Sequence, residues 1–338
     1  MLQSDHTLVR AEHGLALFYY DRAATVVFAA DPPGAVVWLE DSDGSWAPGP
    51  QIALDSRAVH ASAVCSAAHC ELAWVDERAR LLARSLGPAG LDPTRVLASG
   101  VDRRFAPALA EFANGIHYAY TASVEDAMHT LWVTRVGDKV SVPRDLTPPG
   151  HGAAASTFVL GATVPTLVFI DAHAGISPLL ELRFDPAGRP GEVVVRTPVS
   201  QPFAPPLLSA VQWSDGRAEV VFSAVGRMAM TAIARVSLRT AIDPVALQPS
   251  TGYGALSFSA ARAAHRALFA LEVPSASAPD APRSLALKLL DGVRTDDGPR
   301  LELGAHRPSL ASGPHAGDYL LSYVRDEMVH VLHVACAD

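Results

Sequence analysis

Apolar residues in this chain come in short runs of four to seven, broken by Gly, Pro, Asp and Ser. TVVFAAD, AVVWLED, ELAWVDE, TLVFIDA and AEVVFSAV are examples. Their length and their Val, Phe, Trp and Tyr content suit a pleated surface buried on one or both sides. No window keeps an i, i+3, i+4, i+7 apolar face for three turns, so the pattern predicts strands throughout and no helical layer. ARLLARSL has helical propensity from its alanines, but no apolar stripe supports it.

The strands repeat. A four-part unit recurs seven times at a spacing of about 49 residues. Each unit carries an aromatic in its second strand: Phe28, Trp74, Tyr120, Phe169, Phe222, Phe269 and Tyr323. Another ring-bearing side chain stands before each first strand: His13, His60, Phe105, His151, Phe203, Tyr253 and His306. Four short strands per repeat of this length predict an all-β, seven-bladed β-propeller forming one domain over 1–338. The blades fall at about 13–55, 60–99, 105–148, 151–198, 203–249, 253–304 and 306–338. The last unit runs out after three strands. TLVRAE, within 7–12, has the pattern of a fourth strand and is predicted to complete it by pairing near Val331, closing the ring.

The units APALAEFANGIHYAYTAS…LWVTRV and PSLASGPHAGDYLLSYVRDEMVHVLHV resemble the repeats of bacterial seven-bladed β-propellers found in secreted and surface proteins. The shared pattern is Pro-x-Leu-Ala, a Gly or Asn turn, an aromatic-bearing strand, a charged turn and an alternating strand. The resemblance implies the fold and an exported setting, and no particular chemistry.

Composition narrows the partners. A net charge of -8 with no basic run argues against nucleic acid. No apolar run reaches the roughly 18 residues a membrane helix needs. MLQSDHTLVR lacks a charged region followed by an apolar one, so no signal peptide is expected within this sequence. The compartment stays open between cytoplasm and export, with export favoured by the resemblance.

Cys65 and Cys70 flank the turn SAAH and should stand opposite each other on antiparallel strands. That placement allows either a disulfide or two packed thiols. With His69 alone beside them, a four-ligand zinc site is incomplete. Cys336 is left over as a single thiol.

The seven strand-entry positions should circle one end of the central channel. His13, His60, His151 and His306 there could hold a divalent metal such as Fe, Mn or Zn, giving a lyase or hydrolase. Replacement by Phe105, Phe203 and Tyr253 in the other units fits packing between blades better. GHG at 150–152 resembles the Gly-His pair that has a structural role in tryptophan-aspartate repeat propellers. Turns after the second strands add Asp31, Asp76, Glu77, Arg78, Glu125, Asp126, His129, Asp171, His173, Arg325, Asp326 and Glu327 to the same face. Arg103, Arg104 and Arg307 join from the strand-entry loops.

DSDGSW at 41–46 is weakly similar to the Asp-box turn of sialidases but with shorter spacing, and WSDGRA at 213–218 is only a hairpin turn. No nucleophile elbow, phosphate loop or zincin motif is present. The first strands are apolar and small, unlike the polar wall of most enzyme sites. The sequence therefore predicts a non-enzymatic scaffold, without a cofactor. It would bind a protein, glycan or small molecule through a face holding His13, His60, Arg103, Arg104, Phe105, His151, Phe203, Tyr253, His306 and Arg307.

Overall fold

The computed structural model describes residues 7–10, 15–20, 34–40, 46–66, 69–87, 90–159, 164–172, 177–199, 208–212, 218–225, 231–237, 245–248, 258–263, 266–274, 282–291, 294–301, 303–312, 317–326 and 328–335. These form seven antiparallel sheets and no α-helix. By contacts the chain divides into two compact units, 1–78 with 82–95 and 255–338, and 79–81 with 96–254.

In the first unit, sheet one is the meander β1 (Thr7–Arg10), β2 (Leu15–Tyr20), β3 (Gly34–Glu40), β4 (Trp46–Ala53). Sheet two follows with β5 (Ala58–Cys65), β6 (Cys70–Asp76), β7 (Arg80–Gly87) and β8 (Gly90–Leu91). β9 (Arg95–Ser99) also pairs with β7 in this sheet. The second unit holds sheet three, β10 (Ala108–Phe112), β11 (Gly115–Val124), β12 (Ala127–Val136), β13 (Lys139–Val140) and β14 (Arg144–Asp145). Sheet four is β15 (Ala154–Val159), β16 (Thr166–Ile170), β17 (Ser177–Phe184), β18 (Pro190–Val199). Sheet five is β19 (Leu208–Gln212), β20 (Ala218–Val225), β21 (Thr231–Ser237), β22 (Val245–Gln248). The first unit resumes with sheet six, β23 (Phe258–Ala263), β24 (Arg266–Pro274), β25 (Arg283–Asp291), β26 (Arg294–Arg300). Sheet seven is β27 (His306–Ser312), β28 (Asp318–Arg325), β29 (Met328–Ala335).

The apolar runs are continuous because a sheet can be covered on both faces, and successive side chains point to opposite faces. In sheet four, Leu167, Phe169, Leu180 and Leu182 pack with Ala108, Ala110 and Ala119 of sheet three. The intervening Val168, Ile170 and Leu179 pack with Val220 of sheet five. Within the first unit, Leu17, Ala35 and Val37 meet Leu72 and Trp74, and Leu268 and Leu287 meet Leu310 and Tyr319. The aromatics Trp74, Tyr120, Phe169, Phe222, Phe269 and Tyr323 all fall in second strands. Phe28 lies outside the described residues.

The N-terminal segment departs from the sequence expectation. Leu8 and Val9 pair with Phe18 and Leu17, so TLVR is the first strand of sheet one rather than the fourth of sheet seven. Sheet one thus covers Thr7–Ala53, displacing the expected start at 13. LALFYY is its second strand. The reason is register: two strand-like runs, LALFYY and TVVFAAD, compete for one repeat position, and anchoring on His13 chose the wrong one. β1 instead packs beside β27 and β5.

Outer strands carry edge protection. Pro48 and Pro50 lie in β4, Pro190 and Pro198 in β18, and Pro299 in β26. Pro93 divides β8 from β9, and Pro143 divides β13 from β14. Proline removes a donor from the edge and discourages further pairing.

Cys65 and Cys70 are register partners and form a disulfide. Both pack with Leu72 and Trp74 in the contact between sheets one and two. Their ring is short, so the chain-entropy contribution is only about 2 kcal/mol. Cys65→Ser/Cys70→Ser should therefore lower stability modestly and keep the fold, as read by urea denaturation. Loss of all cooperative unfolding would contradict this.

Candidate functional site

The strand-entry end of sheets three and four brings several residues of the expected face together. It begins with VDRRF before β10. Asp102 N–H donates to Thr121 O across the sheet at 2.8 Å, anchoring the loop. The Arg104 Nε and Nη2 groups then clasp the Asp102 carboxylate, and Arg104 N–H also donates to Oδ1 at 2.9 Å. Asp102 is 9% exposed at its side chain and Arg104 is 53% exposed. Burial works against ionisation of Asp102, but the hydrogen bonds and charge of Arg104, with Arg103 nearby, hold its carboxyl below the usual range. The same hydrogen bond raises Arg104. Arg104 also lies over the Phe105 ring at 5.5 Å. Phe105 is buried against Ala154, Ala155 and Met128. The result is a guanidinium held rigidly with part of its surface in solvent.

His151 enters from the next loop. Its Nδ1–H donates to Oδ2 of the buried Asp171 at 2.5 Å, and Gly152 N–H reaches Oδ1 at 3.2 Å. A carboxylate only accepts, so the pair fixes the tautomer and leaves Nε2 available to a ligand. His151 is 36% exposed. Ala153 N–H donates to Met128 O at 2.6 Å and Ala172 N–H to Gly152 O at 3.1 Å, joining this loop to both neighbouring turns. Asp171→Asn should leave His151 free to rotate while costing about 1–3 kcal/mol of stability. An unchanged His151 NMR line shape with full stability would show that the carboxylate does nothing.

The first strands of three sheets are bulged near their start. Sheets two, four and seven each insert one extra residue, between Ala58 and His60, Ala154 and Ser156, and His306 and Ser309. Ala155 and Arg307 consequently adopt positive φ, 49° and 53°. Ala155 N–H is caught by Thr121 Oγ1 at 3.3 Å, and Arg307 N–H by Glu272 Oε2 at 3.0 Å. Thr121 and Glu272 are both the seventh residue of their second strands.

Other predicted residues are placed as follows. His60 lies inside β5 opposite Val75, rather than in the loop before it. His306 opens β27 with its Nδ1 bonded to Gly304 O at 2.8 Å. His13, Phe203 and Tyr253 lie outside the described residues, as do Asp31, His173, Glu327, Cys336 and most of the turns at 41–46 and 213–218. Among the described residues no three His, Cys, Asp or Glu side chains gather as metal ligands. Of the acidic rim, Asp76 is buried and caps Arg78 N–H, Glu77 pairs with Arg57, and Glu125 and Asp126 form a tight turn at positive φ.

Two features escaped the sequence reading. The His129 Nδ1–H donates to Asp145 Oδ2 at 2.6 Å. At the opposite ends of β10 and β17, Phe112, His117, Trp132, Phe158 and Phe184 form one aromatic cluster. His117 stacks on Phe112 at 3.6 Å, accepts from Trp132 Nε1 and bonds Phe112 O through Nε2. Burial pushes its pKa down to about 4. Nothing local in the sequence announces the cluster.

No protein-family model matches the chain, and no curated protein matches its sequence. Solved structures do. A lectin from Burkholderia pseudomallei aligns over 100% of this chain and 97% of its own, with TM-score 0.71 and 14% identity. The chain has a β-propeller-like fold. A lectin from Aleuria aurantia, in complex with Fucα1-6GlcNAc, aligns over 89% of this chain and 96% of its own, with TM-score 0.54 and 12% identity. Hydrazine synthase from Kuenenia stuttgartiensis aligns over 99% and 97%, with TM-score 0.63 and 11% identity. Identities this low establish the shared architecture alone, and the third of these carries a different activity on it. No helix of the described residues is long and apolar enough to cross a membrane.

Proposed function

We propose that the chain is a seven-bladed propeller that binds carbohydrate without transforming it, through the face holding Arg103, Arg104, Phe105 and His151. The observation that carries this reading is the full-length likeness to a lectin, 100% against 97% of the two chains. Seven sheets among the described residues support the blade number. Packing of β1 beside β27 supports closure by sheet contact rather than by a shared strand.

The chemistry of the face agrees. A sugar presents hydroxyls that both donate and accept, and rigid partners lower the ordering cost of binding them. The clasped Arg104 offers fixed donors, and His151 held by Asp171 offers an acceptor at Nε2. Neither requires a resident metal. The Cys65–Cys70 disulfide favours an oxidising compartment, in keeping with an exported propeller.

A glycan array followed by calorimetry tests the reading. Arg104→Ala and His151→Ala should each weaken binding of the selected glycan at least about tenfold, the loss of one hydrogen bond to a charged or oriented group. Binding should survive chelation. Absence of any glycan ligand, or unchanged affinity in both variants, would overturn it. Stoichiometric Fe, Mn or Zn lost on His151→Ala would replace it with a metal-dependent reading.

A further inference from the structure

Thr121, near the end of β11, holds both arms of the candidate face at once. Its carbonyl oxygen accepts from Asp102 N–H at 2.8 Å, anchoring the loop that carries Arg104. Its hydroxyl oxygen accepts from Ala155 N–H at 3.3 Å, fixing the segment that carries His151. Met128 makes a parallel link: its Sδ meets Arg104 Nη2 at 3.3 Å, and its carbonyl accepts from Ala153 N–H at 2.6 Å. A thioether is a poor acceptor, so the firmer of the two links runs through Thr121. At 2% exposure Thr121 is out of a ligand's reach, and whatever it does for binding acts through the two arms.

The local geometry gives the hydroxyl its leverage. Ala155 sits at a φ of 49°, in the left-handed region that a residue with a Cβ adopts only under constraint. The hydrogen bond from its N–H to Thr121 supplies that constraint, and Ala155 is buried, so a lost acceptor is not replaced by solvent. Thr130, the register partner of Thr121, turns its backbone groups the other way. It accepts from Leu146 N–H at 3.0 Å and donates to Thr147 Oγ1 at 3.0 Å, which lays the start of the His151 loop on the same strand pair. One buried pair of threonines therefore holds the loop at both ends.

We propose that Thr121 is the positioning residue of this face, its hydroxyl setting the distance from Arg104 to His151. The donor on one arm and the acceptor on the other belong to different sheets, and a ligand that touches both needs their separation fixed. A displacement of about 1 Å in one arm takes it out of hydrogen-bond range of a ligand held by the other. The effect on affinity rests on the carbohydrate reading; the positioning itself does not.

Thr121→Val removes the hydroxyl and keeps the carbonyl and nearly the same volume, whereas Thr121→Ser keeps the hydroxyl and loses a methyl. In heteronuclear NMR spectra of the ligand-free protein, Thr121→Val should shift the His151 ring signals and leave the Arg104 Nε–H signal in place. Thr121→Ser should leave both near their parent positions. Calorimetry with the selected glycan should show binding about tenfold weaker in Thr121→Val, the scale of coupling between groups in one hydrogen-bond network. In Thr121→Ser it should stay within about twofold of the parent.

Unmoved His151 signals in Thr121→Val would overturn the proposal. So would an affinity that falls equally in both variants, because lost packing would then explain it without the hydroxyl. Shifted His151 signals in a protein that binds no sugar would sink the carbohydrate reading alone and support the positioning role. Amide exchange in the parent decides the matter should Thr121→Val fail to fold. Gly152 N–H, bonded to Asp171, should be no better protected than Ala155 N–H, because the loop opens once the Thr121 bond is broken. Much stronger protection at Gly152 would show the His151 loop holding without Thr121, and the proposal would fall.

Discussion

Replacing Phe184 by alanine is expected to lower stability by about 3–5 kcal/mol, the range for truncating a buried phenylalanine whose site cannot collapse. Phe184 closes β17, is 1% exposed, and meets rings from four strands, β10, β11, β12 and β15. Its ring lies 5.1 Å from Phe112, 5.8 Å from His117, 5.8 Å from Trp132 and 6.0 Å from Phe158. All four neighbours are themselves held, so none can swing into the space. A loss of this size is a large share of the roughly 5–15 kcal/mol that stabilises a domain. Urea denaturation should show a lower midpoint with an unchanged slope. Val142→Ala, at an 85% exposed position, should stay within about 0.5 kcal/mol of the parent. A Phe184→Ala change no larger than that would mean the cluster is not packed as described.

The second large effect is acid sensitivity from His117. Its folded pKa is about 4, because burial penalises the imidazolium, although the Phe112 carbonyl offsets part of that. The unfolded chain takes up the same proton near the ordinary value of about 6.5. Between those values the unfolded state is protonated and the folded state is not. Stability is thus unaffected above about pH 6.5, falls as pH drops through the window, and levels below about 4. The loss attributable to this group is on the order of 2 kcal/mol between pH 7 and 4.5. Carboxylates contribute their own slope, so the informative quantity is the difference between the parent and His117→Gln. The variant should be weaker at pH 7 yet lose less on acidification. Parallel stability curves would refute the assignment.

Much of the architecture was legible because a buried sheet leaves a simple imprint. Trp74, Tyr120, Phe169, Phe222, Phe269 and Tyr323 recur at second strands because that strand is covered on both faces. The reading failed at the N-terminus, where TLVR, LALFYY and TVVFAAD are three strand-like runs and period alone does not say which belong together. Pairing does: Leu8 opposite Phe18 settles it. At GHG, 150–152, the local pattern does not announce that His151 is tied to Asp171, 20 residues further along the chain. The aromatic cluster was invisible because Phe112 and Phe184 are 72 residues apart. They meet only through the facing of sheets three and four. Likewise, that Asp102 clasps Arg104 rather than meeting solvent depends on the Thr121 anchor, a backbone contact that carries no sequence signature.

The bulges at Ala155 and Arg307 have a consequence for biosynthesis. In each case the amide strained into the left-handed region is satisfied by a side chain from the sheet made before it, Thr121 or Glu272. A nascent chain emerging from the ribosome therefore always has the acceptor in place when the donor arrives. Sheets four and seven can each latch, as they are made, onto a sheet already finished.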